Sequence, residues 1–129
     1  MTTSQILNHM KQMIVVNDSL GLSEETWVAQ VACASIGAFI ESGLRNRKAW
    51  LKEGRPRTVL SAFDEKDLRD LLSNAERLKL PVYLVGEQGR AASPTDTLAC
   101  LGIGPAPDAQ IDKLTGVLNF YRWVRQNVM

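Results

Sequence analysis

Four short apolar runs constrain most strongly what this chain can fold into. They occupy residues 13–16, 58–63, 82–85 and 98–103, and each has the length of a buried strand rather than that of a helix. Between them lie segments whose apolar residues recur at the 3.6-residue period of an amphipathic helix. Strands that alternate with such helices predict an α/β fold, with helices on both faces of a partly parallel sheet.

Local signals predict where the helices begin and end. Four segments have the helical pattern, and they lie at residues 27–40, 45–52, 65–78 and 107–121. Ser23 and Asp64 have side chains typical of helix caps, and Gly43 is predicted to end the first helix. Pro81 stops the third helix. Residues 121–129 are expected to continue the last helix as an extension of the domain.

Length and composition predict one domain over residues 1–129. The chain is 45% hydrophobic and 22% charged, which is typical of a globular protein. Cys33 and Cys100 lie far apart in apolar stretches, and the chain has one histidine, so we expect two reduced, buried thiols, with neither a zinc site nor a disulfide framework. No signal peptide or membrane-length apolar run is evident, which predicts a cytoplasmic protein without a membrane partner.

The net charge of +1 conceals a basic patch at residues 45–57. Six of its residues are basic and one is acidic: Arg45, Arg47, Lys48, Lys52, Glu53, Arg55 and Arg57. Such a patch can attract phosphate groups, but it can also be a solvated helix and loop. Charge alone leaves both interpretations open.

Polar segments follow the predicted strands, and ligands of α/β sheets bind beyond the carboxyl ends of strands. The turn at residues 17–19 follows the first strand, and a long polar loop at residues 86–97 follows the third. Long loops in compact domains often carry function. We expect a glycine-proline turn at residues 104–105 and the final helix to place the Glu87 loop beside the amino end of the first helix, which would form one cleft.

Two sequence runs near the carboxyl end carry a family resemblance. Gly-Ile-Gly-Pro-Ala-Pro at residues 102–107, followed by Ile-Asp-Lys-Leu-Thr-Gly-Val-Leu at 111–118, resembles the signature of the type 2 peptidyl-tRNA hydrolases. The resemblance covers about residues 10–120. It implies a three-layer α/β/α sandwich with a four-stranded mixed sheet, often found as a homodimer. It also implies cleavage of the ester that joins a peptide to the 3′ end of tRNA, without a metal or organic cofactor.

The family motif of the first helix, Gly-Lys-X-Ala-Ala-Gln-X-X-His-Ala, is altered in this chain. The matching positions are Ala29, Gln30, Ala32 and Ala34. Thr26 stands at the position of the lysine, and Cys33 stands at that of the histidine. Glu24 and Glu25 replace a lysine and a glycine, which reverses the local charge.

The family loop motif Asp-Ala-Gly-Arg-Thr is also altered. Glu87 stands at the position of the aspartate, and Arg90 matches the arginine. Ala91 replaces the motif's threonine, whereas Thr97 matches a threonine before the last strand. A further family aspartate, after the first strand, falls on Ser19 in an ungapped comparison. With a one-residue insertion it falls on Asp18 instead.

An enzyme hypothesis follows from the resemblance. Glu87 would orient or deprotonate a water molecule, Thr97 would donate a hydroxyl hydrogen bond, and Gln30 would position polar groups. The residues assigned to substrate binding are Asp18, Thr26, Arg90, Arg45, Arg47 and Lys48. Simpler roles compete with each assignment: Glu87 as a solvated loop residue, Thr97 as the start of a strand, and Gln30 as a donor to a backbone carbonyl.

Two other hypotheses come from different classes. The altered motifs are also typical of a catalytically silenced homologue that keeps the scaffold to bind RNA ends, a protein partner or a second copy of itself. Alternatively, Glu24, Glu25 and Glu87 could form the acidic cleft of an enzyme that acts on another small substrate. Three glutamates without a histidine specify no metal.

Overall fold

The strands form one mixed sheet in the computed structural model, which describes residues 9–87, 89–90, 96–117 and 122–123. The helices are α1 (Glu24–Glu41), α2 (Leu44–Lys52), α3 (Glu65–Arg77) and α4 (Asp108–Val117). The strands are β1 (Met10–Asn17), β2 (Arg57–Ala62), β3 (Val82–Gly86), β4 (Gly89–Arg90), β5 (Leu98–Pro107) and β6 (Arg122–Trp123). A 3₁₀ turn, Asp18–Leu20, follows β1.

The order of the strands is β4-β3-β5-β1-β2-β6. The central strand β1 is parallel to β2 and antiparallel to β5, and β5 is antiparallel to β3. The two-residue strands β4 and β6 pair with the edges of β3 and β2. The four longer strands therefore form the predicted four-stranded mixed sheet.

Both faces of the sheet are covered, as the apolar strands predict. Met13 and Val15 of β1 belong to a buried cluster with residues of α3 and α4. Ile14 and Val16 point to the opposite face and pack with Ala34 of α1. Because successive side chains of a strand alternate between its faces, a strand buried on both faces is apolar throughout. The three-layer α/β/α prediction is confirmed.

Helix α1 lies unusually close to the sheet because small residues form the contact. A Cβ atom on Gly102 of β5 would lie 2.4 Å from the carbonyl oxygen of Ala34. A Cβ atom on Gly37 would lie 2.3 Å from ring carbons of Tyr83 in β3. Ala34 and Ala38 are fully buried at the same contact. The small residues at these positions therefore set the height of α1 above β3 and β5.

The cap predictions are confirmed at Ser23 and Asp64, whose side chains accept hydrogen bonds from the backbone amides of Thr26 and Asp67. The prediction that Gly43 ends α1 is wrong. Ser42 is the carboxyl-terminal cap, and its hydroxyl donates to the carbonyl oxygens of Ala38 and Pro105. Gly43 instead has the extended backbone of the amino-terminal cap of α2.

The predicted turn at residues 104–105 is also wrong, because strand β5 continues through it. Ala106 and Pro107 pair with Lys11 and Met10 of β1 beyond a register shift. Gly104 adopts a φ of +92°, which a glycine reaches without steric cost. This conformation lets the strand bend there and keep its pairing with β1.

The two short edge strands, β4 and β6, contradict two further predictions. Arg122 and Trp123 pair with Ser61 and Leu60, so the predicted helical extension is wrong at these two residues. The edge of β2 has backbone groups that need partners, and a strand provides them. Gly86 belongs to β3, and the β4 strand pairs back on it, so residues 86–97 are not wholly loop. The remainder of both segments, residues 88, 91–95, 118–121 and 124–129, lies outside the described residues.

The contact between α1 and β5 makes a testable prediction. In Gly102→Ala, the new methyl group would meet the backbone of Ala34, which cannot rotate away, so the helix must shift. We expect the free energy of unfolding to fall by about 1–3 kcal/mol, measured by urea denaturation. The control is Ser73→Ala on the exposed side of α3, which should be nearly neutral. A Gly102→Ala variant as stable as the parent would contradict this account of the packing.

Candidate active site

One hydrogen bond joins α1 to the segment that follows β3. The side-chain amide of Gln30 donates to the backbone carbonyl oxygen of Glu87 at 3.3 Å. Gln30 is 9% exposed, and the Glu87 residue is exposed. The amino-terminal half of α1 therefore lies beside the Glu87 segment, as the predicted cleft requires. The contact also matches the simpler of the two predicted roles of Gln30, a donor to a backbone carbonyl.

The ends of three strands meet at this place. Gly86, the last residue of β3, pairs with Leu98, the first residue of β5, so Glu87 and Thr97 lie at the same end of the two strands. Asn17, the last residue of β1, donates from its side-chain amide to the carbonyl oxygen of Leu98 at 2.9 Å. The structure thereby brings Gln30, Glu87 and Thr97 to one edge of the sheet, with Thr97 exposed to solvent.

Asn17 lies in the polar turn that the sequence analysis noted at residues 17–19, but the sequence analysis assigned it no role. It is 1% exposed, and its side-chain oxygen accepts from the amide and the hydroxyl of Ser19 at 3.1 and 2.6 Å. Its position directly after an apolar strand, at the start of a polar turn, was the available signal. Asn17 therefore fixes both the 3₁₀ turn after β1 and the start of β5.

Two residues of α3 anchor the segment that contains Thr97. The Glu65 carboxylate accepts from the amide of Leu98 at 3.0 Å, and Arg69 donates to the carbonyl oxygen of Asp96 at 3.2 Å. Glu65 and Arg69 also form an ion pair at 3.0 Å. The i, i+4 spacing of Glu65 and Arg69 was visible in the sequence, but the contacts that they make with Asp96 and Leu98 were not. The residues before and after Thr97 are thus both held by α3.

Two predicted substrate-binding residues, Thr26 and Asp18, lie at the same edge. Thr26 is one helical turn before Gln30, and its hydroxyl lies 2.8 Å from the Ser23 hydroxyl. Asp18 is exposed at the start of the 3₁₀ turn. The Ser19 hydroxyl is hydrogen-bonded to Asn17. Asp18 and Ser19, the two positions considered for the family aspartate, are both exposed just after β1.

The basic residues do not lie at this edge. Helix α2 is close to the start of β1, since the amide of Met10 donates to the Glu53 carboxylate just after α2. The site is at the other end of β1, and an eight-residue strand is about 23 Å long. Arg45 and Lys48 are exposed. The basic residues of α2 therefore lie at the opposite end of the sheet from Glu87.

Arg47 has a structural role within the basic patch. Its guanidinium donates to the carbonyl oxygens of Ser42 and Ile40 at the end of α1 and lies 5.5 Å from the centre of the Phe39 ring. Cations at this end of a helix are stabilised by its unpaired carbonyls.

Arg90 belongs to the short edge strand β4, where its backbone pairs with that of Val85. This pairing places Arg90 on the strand that follows Glu87.

The two thiols have different environments. Cys100 is fully buried in β5, and burial raises the pKa of its thiol to about 12. Cys33, at the position of the family histidine, is partly buried in α1 and packs against the cluster that contains Cys100. The structure gives Cys33 an apolar packing role on the side of α1 that bears Gln30.

The residues at this edge of the sheet include groups that can support hydrolysis. Glu87 has a carboxylate, Thr97 has a hydroxyl and Gln30 has an amide, and such groups can orient water and stabilise developing charge. Across residues 9–117, apart from the gaps, no three His, Cys, Asp or Glu side chains come together as a set of metal ligands. No helix in the described part of the chain has the length and apolarity to cross a bilayer.

Comparison with known proteins identifies the family. Residues 10–121 match the family Peptidyl-tRNA hydrolase PTH2. A peptidyl-tRNA hydrolase of Methanopyrus kandleri is 43% identical over 115 residues, 87% of this chain and 98% of that protein. Those of Haloquadratum walsbyi and Methanocaldococcus jannaschii are 38% and 35% identical over 112 residues, 87% and 84% of this chain and 100% and 97% of theirs. The chain belongs to the peptidyl-tRNA hydrolase PTH2 family.

The thiol environments predict selective chemical modification. In the native protein at pH 8, Ellman's reagent should react with Cys33 and leave Cys100 untouched. Cys100 is buried, so the reagent cannot reach it, and its thiol, with a pKa of about 12, stays protonated. Unfolding in guanidinium should expose both thiols. Cys33→Ser should abolish the native reaction. Rapid native modification of that variant would show that Cys100 is not buried as described.

Proposed function

We propose that this chain hydrolyses peptidyl-tRNA, releasing the peptide from the 3′ end of the tRNA. The observation that carries the proposal is the hydrogen bond from Gln30 to the Glu87 carbonyl, which brings the two altered family motifs into contact. Support also comes from the relatives, which are named peptidyl-tRNA hydrolase and are 35–43% identical over most of this chain. The substrate partner is tRNA, and the chain acts in the cytoplasm.

The proposed roles follow from the chemistry of these residues and from their places at the ends of the strands and of α1. Glu87 is a solvent-facing carboxylate that orients and deprotonates the attacking water. Thr97, at the start of β5, donates a hydrogen bond to the oxyanion that develops on the ester carbonyl. Gln30 is a positioning residue, since it acts through the backbone of Glu87. Asp18, Thr26 and Arg90 line the edge that receives the 3′ end of the tRNA.

The substitutions in the first-helix motif favour a second candidate function, RNA binding without cleavage. Glu24 and Glu25 are exposed in the first turn of α1, where their charges repel phosphate groups. A silenced homologue that binds RNA without cleaving it would have the same fold. The relatives give no support to the loss of activity, so we favour the hydrolase and let the experiment below separate the two functions.

The first test is the Glu87→Gln variant, assayed on a peptidyl-tRNA with a labelled peptide. The parent should release peptide, and Glu87→Gln should lose activity by about a hundredfold or more, because an amide cannot act as a base. The matched control is Glu76→Gln, an exposed glutamate of α3, which should keep the parental rate. Full activity in Glu87→Gln would refute the role assigned to this carboxylate.

The second test uses Thr26→Lys, which restores the lysine of the family motif. If the parent is a hydrolase, the variant changes the rate of an existing activity. A parent without turnover, together with a Thr26→Lys variant that gains it, would overturn the proposal in favour of a silenced site. Filter binding of the parent to uncharged tRNA across a salt series would then measure the phosphate contacts that remain.

A further inference from the structure

The strand ends at the candidate active site form a row that extends to β2. Gly86 of β3 pairs with Leu98 of β5, and the Asn17 side chain joins the end of β1 to Leu98. Asn17 also pairs with Ala62, the last residue of β2. One residue next to each of these four ends lies along the same edge of the sheet: Glu87, Thr97, Asp18 and Phe63. Because neighbouring strands lie about 4.8 Å apart, the row is about 14 Å long.

Phe63 is the aromatic residue of this row, and its side chain is exposed. The exposed fraction is 68%. The other aromatic residues whose side chains the structure describes are buried or partly buried: Trp27, Phe39, Trp50 and Tyr83. Single exposed apolar side chains are common on protein surfaces. The place of Phe63 in the row, more than its exposure, therefore points to a function.

Hydrogen bonds fix the backbone around Phe63. The amide of Phe63 donates to the carboxylate of Asp67 in the first turn of α3. The next residue, Asp64, caps the same helix, because its carboxylate accepts from the Asp67 amide at 3.0 Å. Ala62, the residue before Phe63, is fully buried in β2. The ring is thus presented to solvent by a rigid backbone, which reduces the entropy lost when a ligand binds to it.

The charges near this end of the sheet are acidic. Asp18 is exposed in the turn after β1, and Glu24 and Glu25 are exposed in the first turn of α1. These carboxylates repel phosphate groups, and the cations of α2 lie at the opposite end of the sheet. A base that stacks on an aromatic ring needs no cation, because the contact joins two flat faces. Phe63 can therefore hold a nucleic acid in a place where the charges do not.

We propose that the ring of Phe63 is a stacking platform for an unpaired base near the 3′ end of the tRNA, so that this end lies along the row of strand ends. The proposal rests on the proposed function, which places the ester beside Glu87 and Thr97. The row is longer than one nucleotide. The base that stacks on Phe63 therefore belongs to a nucleotide that precedes the esterified one.

The chemistry of a single exposed ring favours the RNA part of the substrate over the peptide part. Every unpaired base offers a flat aromatic face, so stacking tolerates any base sequence. The side chains of the peptide, in contrast, differ from one substrate to the next. A rigid ring outside the row's catalytic end is thus matched to the part of the substrate that does not vary.

RNA binding tests the platform without any hydrolysis. The probes are a labelled acceptor-stem hairpin with an unpaired 3′ CCA end and the same hairpin without these three nucleotides. Phe63→Ala should raise the Kd for the first hairpin by about fivefold to a hundredfold, and Phe63→Trp should bind it as tightly as the parent. Neither variant should change the Kd for the second hairpin. The control is Ile40→Ala, 60% exposed on α1, which should bind like the parent. Equal Kd values for the parent and Phe63→Ala contradict the proposal.

An abasic nucleotide in the first hairpin identifies the stacked base. In the parent, removing one of the two bases before the terminal adenosine should weaken binding as much as Phe63→Ala does. In Phe63→Ala, the same removal should cost nothing further. The loss should be the same at low and high salt, because stacking releases no counterions. Losses that multiply for both bases would show that no base stacks on this ring.

The outcomes separate this proposal from the proposed function. On peptidyl-tRNA, Phe63→Ala should raise KM and leave kcat nearly unchanged, since stacking is equal in the ground state and the transition state. A parent that cleaves its substrate, with a Phe63→Ala variant of unchanged KM, refutes the platform and leaves the hydrolase. Binding that depends on Phe63 without any cleavage refutes the hydrolase and leaves the platform. A KM effect that follows the peptide sequence, without an effect on the hairpins, would assign the ring to the peptide and overturn the proposal.

Discussion

The close contact between α1 and β5 is the constraint on which the rest of the structure depends. Gly102 leaves room for the backbone of Ala34, and Gly37 leaves room for the ring of Tyr83. A helix that approaches a sheet this closely has little freedom to slide or tilt, since interiors are packed at crystal-like density. Its second turn therefore stands at a fixed height beside the end of β3, which is where Gln30 meets the Glu87 carbonyl.

Polar side chains complete the site once packing has fixed the helix. Asn17 joins the end of β1 to the start of β5, and Glu65 from the other face accepts from the same residue, Leu98. A buried amide such as that of Asn17 must find partners or cost free energy, so its contacts specify one arrangement of the strand ends. The exposed groups, Glu87 and Thr97, are thereby presented by rigid neighbours. The basic helix α2 lies at the opposite end of the sheet.

Much of the fold was predictable because it rests on local signals. The apolar runs gave the four long strands, and the hydroxyl of Ser23 and the carboxylate of Asp64 gave two helix starts. The errors arose where tertiary pairing overrides local preference. Gly104 and Pro105 are typical of a turn, yet β1 offers a pairing partner that keeps them in a strand, and β2 does the same for Arg122 and Trp123. The position of the Glu87 segment beside α1 was expected from the polar segments that follow the strands, whereas the anchoring roles of Asn17 and Glu65 depend on distant partners that no local pattern predicts.

The central claim is that α1 and the Glu87 segment act as one site, and a double-mutant cycle on the hydrolysis rate tests it most directly. The four proteins are the parent, Gln30→Ala, Glu87→Gln and the double variant, compared by kcat/KM on peptidyl-tRNA. If Gln30 acts by positioning Glu87, removing it should cost little once the carboxylate is gone, so the double variant should match Glu87→Gln. Losses that multiply in the double variant would show that the two residues act independently and would contradict the account.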